Sequence, residues 1–122
     1  MHIRRGFTEF MEDLVRQLRE FAKERDWDQF HSPKNLAMAL IAEAAEVIEH
    51  FQWVTEDQSY NLPADQLAEV ALELADIQIY LIRLADKLGI DIAEATKKKM
   101  AINEIKYPVE KAKGTNKKYT KL

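Results

Sequence analysis

Phe7, Phe10, Leu14, Leu18 and Phe21 recur at intervals of three and four, the period of a helix with one apolar side, and predict an amphipathic helix over residues 6–25. The segment "RDWDQFHSPKN" breaks that period. Within it, Ser32 followed by Pro33 reads as an N-cap with proline at the first helical position, so a second helix is predicted over residues 33–54. "TEDQSYNLP" is a predicted loop. From Ala64 onward, Leu67, Val70, Leu74, Ile77, Leu81, Leu84 and Leu88 form the longest apolar stripe in the chain, and Gly89 is placed to close that helix. Asp91 with Glu94 three residues later is a capping-box pattern for a fourth helix, which Pro108 must end. Four amphipathic helices joined by short loops predict an all-α four-helix bundle. On this reading residues 1–110 are one domain, and residues 111–122 are a polar, lysine-rich tail.

Composition narrows the class further. A chain of 122 residues is long enough for one hydrophobic core and too short for two. Three glycines and three prolines with 47% hydrophobic residues favour long helices over a turn-rich β architecture. The absence of cysteine removes disulfide scaffolds and thiolate zinc sites. No segment approaches the roughly 20 apolar residues of a spanning helix, and the first residues carry no apolar leader core. The expectation is a soluble, cytoplasmic protein.

Charge changes the picture more. Net charge is only −3, but residues 35–82 hold nine Asp or Glu and no Lys or Arg, while residues 83–122 hold eleven basic and five acidic residues. A nucleic-acid groove wants bases throughout, so no nucleic-acid partner is expected. Glu43 and Glu46 lie three apart and therefore on one side of the second helix, with Glu49 a further 60° or so round it. Glu73 and Asp76 repeat that relation on the third helix, with Tyr80 one turn beyond. The bland alternative is two solvated helix faces. Such faces normally mix signs, because like charges one turn apart repel, and the apolar Ala39, Leu40, Ile41, Ala44, Ala45, Val47, Ile48 and Phe51 leave these acids little solvent-facing room. Carboxylates gathered without counter-charge suit a hard cation, and Mg²⁺ is the natural occupant where phosphate is a further ligand. A di-iron bundle would need Glu-x-x-His on two helices, and that motif is missing.

"ALIAEAAEVIEHFQW", "LELADIQIYL" and "KKMAINEIKYP", with "FAKERDWDQFHSPKNLAMAL" upstream and "KYT" near the end, resemble the MazG-like all-α nucleoside triphosphate pyrophosphohydrolases, most nearly their dCTP pyrophosphatase branch. The resemblance runs from about residue 14 over nearly the whole chain. It implies cleavage of a nucleoside triphosphate between the α and β phosphates, to monophosphate and pyrophosphate, with Mg²⁺, or Mn²⁺ in its place, held by Glu43, Glu46, Glu73 and Asp76. Glu43, Glu46 and Glu49 are then the catalytic acids, and whether Glu46 or Glu49 is the general base stays open. Lys99, Asn103, Lys106 and Tyr107 match phosphate and sugar contacts; Lys106 replaces an arginine frequent in that branch, keeping charge but losing the bidentate fork. Trp27, His31 and Trp53 resemble base-pocket residues, and Tyr80 a sugar contact. Leu18 stands where animal members of the branch carry a histidine, which puts cytosine selectivity in question. The family's assembly implies a homodimer or homotetramer. The competing expectations are a catalytically idle nucleotide- or metal-binding helical bundle, and a purely structural oligomeric bundle.

Overall fold

The computed structural model describes the backbone of residues 2–122 and the side chains from residue 9 onward; the Phe7 side chain of the first apolar stripe lies outside the described set. Every regular element among the described residues is helical: α1 (His2–Glu24), α2 (Pro33–Glu49), α3 (Glu56–Ser59), α4 (Ala64–Lys87), α5 (Ile92–Lys106) and α6 (Val109–Ala112), with 3₁₀ turns at Asp28–Phe30 and Tyr119–Lys121. The chain divides at Gly89 into two compact units, residues 1–89 and 90–122.

In the first unit α4 is the hub, with α2 packed extensively along it and α1 packed against it as well. Ala22 of α1, Leu36 of α2 and Val70, Ile82 and Ala85 of α4 form the buried apolar core. The expected α4 stripe is only partly the buried one. Val70 is buried, yet Leu67, Leu74, Leu81 and Leu88 stay exposed, as do Ile41 and Ile48 of α2. A helix apolar on two sides offers two candidate faces, and a single-chain pattern cannot say which of them faces the chain's own core.

Local chemistry explains the helix ends. Ser32 Oγ accepts the Asn35 N–H at 3.1 Å with Pro33 at the first position, as expected. α2 stops at Glu49 rather than running on to residue 54. The carbonyl of His50, at its C-cap, accepts from the Gln66 amide of α4 at 3.3 Å, and the chain continues as turns that carry Trp53 out of the helix. The expected loop after it contains α3, whose Thr55 and Gln58 form a complete capping box. Gly89 takes φ +67° after α4, the left-handed conformation that glycine adopts without Cβ strain.

α1 ends in a Schellman turn without glycine. Trp27 N–H donates to Ala22 carbonyl at 2.8 Å and Asp26 N–H to Lys23 carbonyl at 3.1 Å, with Asp26 at φ +54°. This turn folds Trp27 back onto Phe21, edge to face at 5.8 Å. In the second unit, Asp91 Oδ1 accepts the Glu94 N–H at 3.1 Å, and α5 ends just before Pro108. The lysine-rich tail is folded back on this helix end: the Tyr119 ring meets Tyr107 edge to face at 6.0 Å, and Lys106 Nζ lies 4.7 Å above it.

Candidate active site

The pairing of α2 with α4 brings the two acidic pairs together. Glu43 is half-buried, and burial, followed by the charges of Glu46 and Asp76, a hydrogen bond shared with Glu46 and the charge of Glu73, raises its carboxyl above its ordinary value. Glu73 Oε2 is buried and lacks an aligned donor, although His50 Nε2 lies 3.0 Å away. The Gln66 amide nitrogen lies 3.5 Å from His50 Nδ1, so the ring spans Gln66 on one side and Glu73 on the other. Glu49, the last residue of α2, is exposed and not among the groups acting on Glu43. Among the described residues no three Asp, Glu or His side chains have converged tightly enough to hold an ion as they stand. The donor set nonetheless fits a hard divalent cation: it offers carboxylate oxygens from facing helices, one of them buried without a hydrogen-bond partner, with no lysine or arginine in residues 35–82.

One α-helical stripe continues from this cluster. Glu73, Asp76, Tyr80, Arg83 and Lys87 are spaced 3, 4, 3 and 4 along α4 and so share a face. Beside it opens a cavity of about 280 Å³ lined by Leu18, Phe21, Ala22, Trp27, His31, Asp76, Ile79, Tyr80 and Arg83. Its α1 wall is apolar, and the Phe21–Trp27 pair supplies flat aromatic surface. Three expected ligand-binding residues, Trp27, His31 and Tyr80, therefore meet there, and Asp76 belongs to the acid cluster and to the cavity alike. Leu18 lines the same cavity, so its replacement of a histidine falls where a bound group would feel it. Trp53 is 87% exposed in the turn after α2 and outside this cavity.

Arg83 was missed by the sequence reading, though its position held a signal: it is the first base after the acidic stretch and stands seven residues past Asp76. Its side chain is only 4% exposed. Nη2 donates to Asp28 Oδ1 at 3.0 Å and lies 3.3 Å from His31 Nδ1, and Nη1 faces Asp86 Oδ2 at 3.6 Å. Arg19 grips Asp86 in a fork, at 2.7 and 2.5 Å, while Lys87 reaches Asp28 at 2.6 Å. Hydrogen bonds from Lys87 and Arg83 hold the Asp28 carboxyl below its ordinary value, and that from Arg19 does the same for Asp86. Burial, reinforced by the Arg83 charge, lowers the His31 imidazole below its ordinary value. A guanidinium only donates, so Nδ1 must be the lone-pair nitrogen and Nε2 the protonated one.

In the second unit Lys99 and Asn103 are exposed, one turn apart on α5, and Lys106 and Tyr107 pack with Tyr119 at its end.

Comparison with known proteins places these features in a lineage. The chain is 43% identical over 114 residues to dCTP pyrophosphatase 1 of Mus musculus and 41% identical to that of Homo sapiens, in each case covering 92% of this chain and 67% of the relative. A crystal structure of a pyrophosphatase from Archaeoglobus fulgidus superposes with a TM-score of 0.77 at 44% identity, covering 81% of this chain and 93% of that one. Residues 39–122 match the MazG-like family, and the chain belongs to it.

Proposed function

We propose that this chain is a Mg²⁺-dependent nucleoside triphosphate pyrophosphohydrolase that takes a deoxynucleoside triphosphate, dCTP or a modified dCTP, to its monophosphate and pyrophosphate, and so clears the cytoplasmic nucleotide pool. The observation that carries this reading is Asp76, which lies in an acid cluster without counter-charge and in the wall of a flat, aromatic-lined cavity. Cation-held phosphate and stacked base are thereby adjacent on one helix. Curated relatives at 41–43% identity that are named dCTP pyrophosphatase support the substrate class.

Glu43, Glu46, Glu73 and Asp76 would hold Mg²⁺, or Mn²⁺ in its place; when bound, the cation neutralises phosphate charge and acidifies the attacking water. The protein's own part is positional. Glu46 or Glu49 would take the proton of the attacking water, and His50 Nε2 stands 3.0 Å from Glu73 Oε2 at the edge of the ligand set. Trp27 supplies the stacking surface for the base and Tyr80 a contact for the sugar, while the apolar wall of Leu18, Phe21 and Ile79 excludes water. Lys99, Asn103, Lys106 and Tyr107 belong to a separate compact unit, and the phosphate and sugar contacts proposed for them, like a base contact for Trp53, rest on the family resemblance alone. A homodimer or homotetramer is proposed because Ile41, Ile48, Leu67 and Leu74 lie exposed on α2 and α4, an apolar surface that a partner would cover. Among the described residues no helix is long and apolar enough to cross a membrane.

The test is pyrophosphate release from a panel of dNTPs and NTPs with and without Mg²⁺, with Glu43→Gln as control. Metal-dependent release that the substitution abolishes bears the reading out. Metal-dependent nucleotide binding without turnover would replace it with the idle binding bundle.

A further inference from the structure

We infer that Arg83 is a positioning residue for base selection: it holds His31 with its proton on Nε2, so that the polar end of the cavity offers donors and selects a base edge of adjacent acceptors. Cytosine has such an edge in O2 and N3; uracil and thymine interrupt it with the N3–H donor. The inference rests on the pyrophosphohydrolase reading for its substrate, but its structural half does not.

Three observations carry it. Arg83 is 4% exposed and lines the cavity two turns along α4 from Asp76, a rise of about 10 Å. That is the direction in which a nucleoside runs from its phosphate to its base. Second, Nη2 lies 3.3 Å from His31 Nδ1 while donating to Asp28 at 3.0 Å. Since no arginine nitrogen accepts, the imidazole must accept at Nδ1 and donate at Nε2. Third, Arg83 Nε is buried without an acceptor. A fully structural arginine in this position would be expected to have all its donors met, because an unmatched buried donor is costly. This one keeps a donor in reserve beside a cavity large enough for a base.

The surrounding ions make the placement specific. Asp28 and Asp86 fix the guanidinium from two sides, and each has a second cation, Lys87 and Arg19 respectively. Removing the Arg83 charge therefore strands neither carboxylate. With Leu18 making the α1 side of the cavity apolar, base reading falls to Arg83 of α4 and to His31.

Histidine ¹⁵N spectra of the intact protein decide the structural half, with the His31 signals assigned through His31→Gln. The wild type is expected to show His31 as the Nε2–H tautomer near neutral pH. Arg83→Met should mix the tautomers and lower kcat/KM for dCTP about tenfold, the equivalent of one lost hydrogen bond, while dUTP turnover changes by less than about threefold. A residue with a purely structural role would lower the melting temperature and leave the dCTP to dUTP ratio intact. Should Arg83→Met fail to fold, Arg83→Lys is read in its place, with the same fall in the ratio expected because lysine lacks the planar fork. An Nδ1–H tautomer in the wild type, or an unchanged base ratio in the folded variant, overturns the inference. Absence of turnover by the wild type would instead defeat the pyrophosphohydrolase reading, with the tautomer spectra still judging Arg83.

Discussion

The two ends of the α4 polar stripe contain similar carboxylates in opposite circumstances. At the end near Glu73, four acids face one another with no lysine or arginine among them, and the Glu43 carboxyl is pushed up. Further along α4, Asp28 and Asp86 sit among Arg19, Arg83 and Lys87, and both carboxyls are pulled down. The second cluster sets three cations against two carboxylates and serves as a brace. The first is stable only at a cost that an incoming cation would remove, which is the physical difference between a scaffold and a binding site.

Breaking that contrast should have its largest effect on catalysis. Glu43→Gln or Asp76→Asn is expected to lower Mg²⁺-dependent pyrophosphate release by at least about a hundredfold, measured at saturating nucleotide; a loss below tenfold would remove these residues from the ligand set. At the braced end the damage should be to folding. Asp86→Ala leaves the buried Arg83 with Asp28 alone and should cost about 1 to 3 kcal/mol by urea unfolding, below the cost of a fully stranded buried charge because one partner remains.

Smaller effects sharpen the same comparison through pH. A raised Glu43 carboxyl favours the protonated folded state, so without metal this end should lose stability as pH rises through the folded value. Depressed Asp28 and Asp86 carboxyls act in the opposite sense: their contribution is present above the unfolded value and lost as pH falls through the folded one. Glu43→Gln should therefore stabilise the metal-free protein at pH 7, by about 0.5 kcal/mol if each repulsion resembles one between helix neighbours. It should also reduce the rise in melting temperature that Mg²⁺ brings to the wild type; an undiminished rise would place the ion elsewhere. Last, Ile48→Glu or Leu74→Glu should shift the assembly toward monomer in sedimentation velocity, and no shift would move the interface off this surface.

Several elements could be read from the sequence because their causes are local. Ser32 with Pro33, Asp91 with the Glu94 amide, Gly89 and Pro108 all act within a few residues of the boundary they set. The acidic pairs were readable for a similar reason, since a spacing of three fixes a shared side on any helix. What escaped were consequences of distant partners. α2 stops short where Gln66 of α4 takes the His50 carbonyl, and Arg83 is fixed by Asp28 and His31 from the turn after α1.

The linear chain thus determined the helical class, most helix starts and stops, and the one-sided charge of residues 35–82, all of which follow from backbone period and neighbouring side chains. Only the tertiary structure decided which apolar face of α4 is buried, that Asp76 borders a cavity, and that Arg83 lies between Asp28, Asp86 and His31, residues 55, 3 and 52 positions away. Burial and ion pairing depend on distances in space, and a helix apolar on two sides leaves those distances open until its partners are in place.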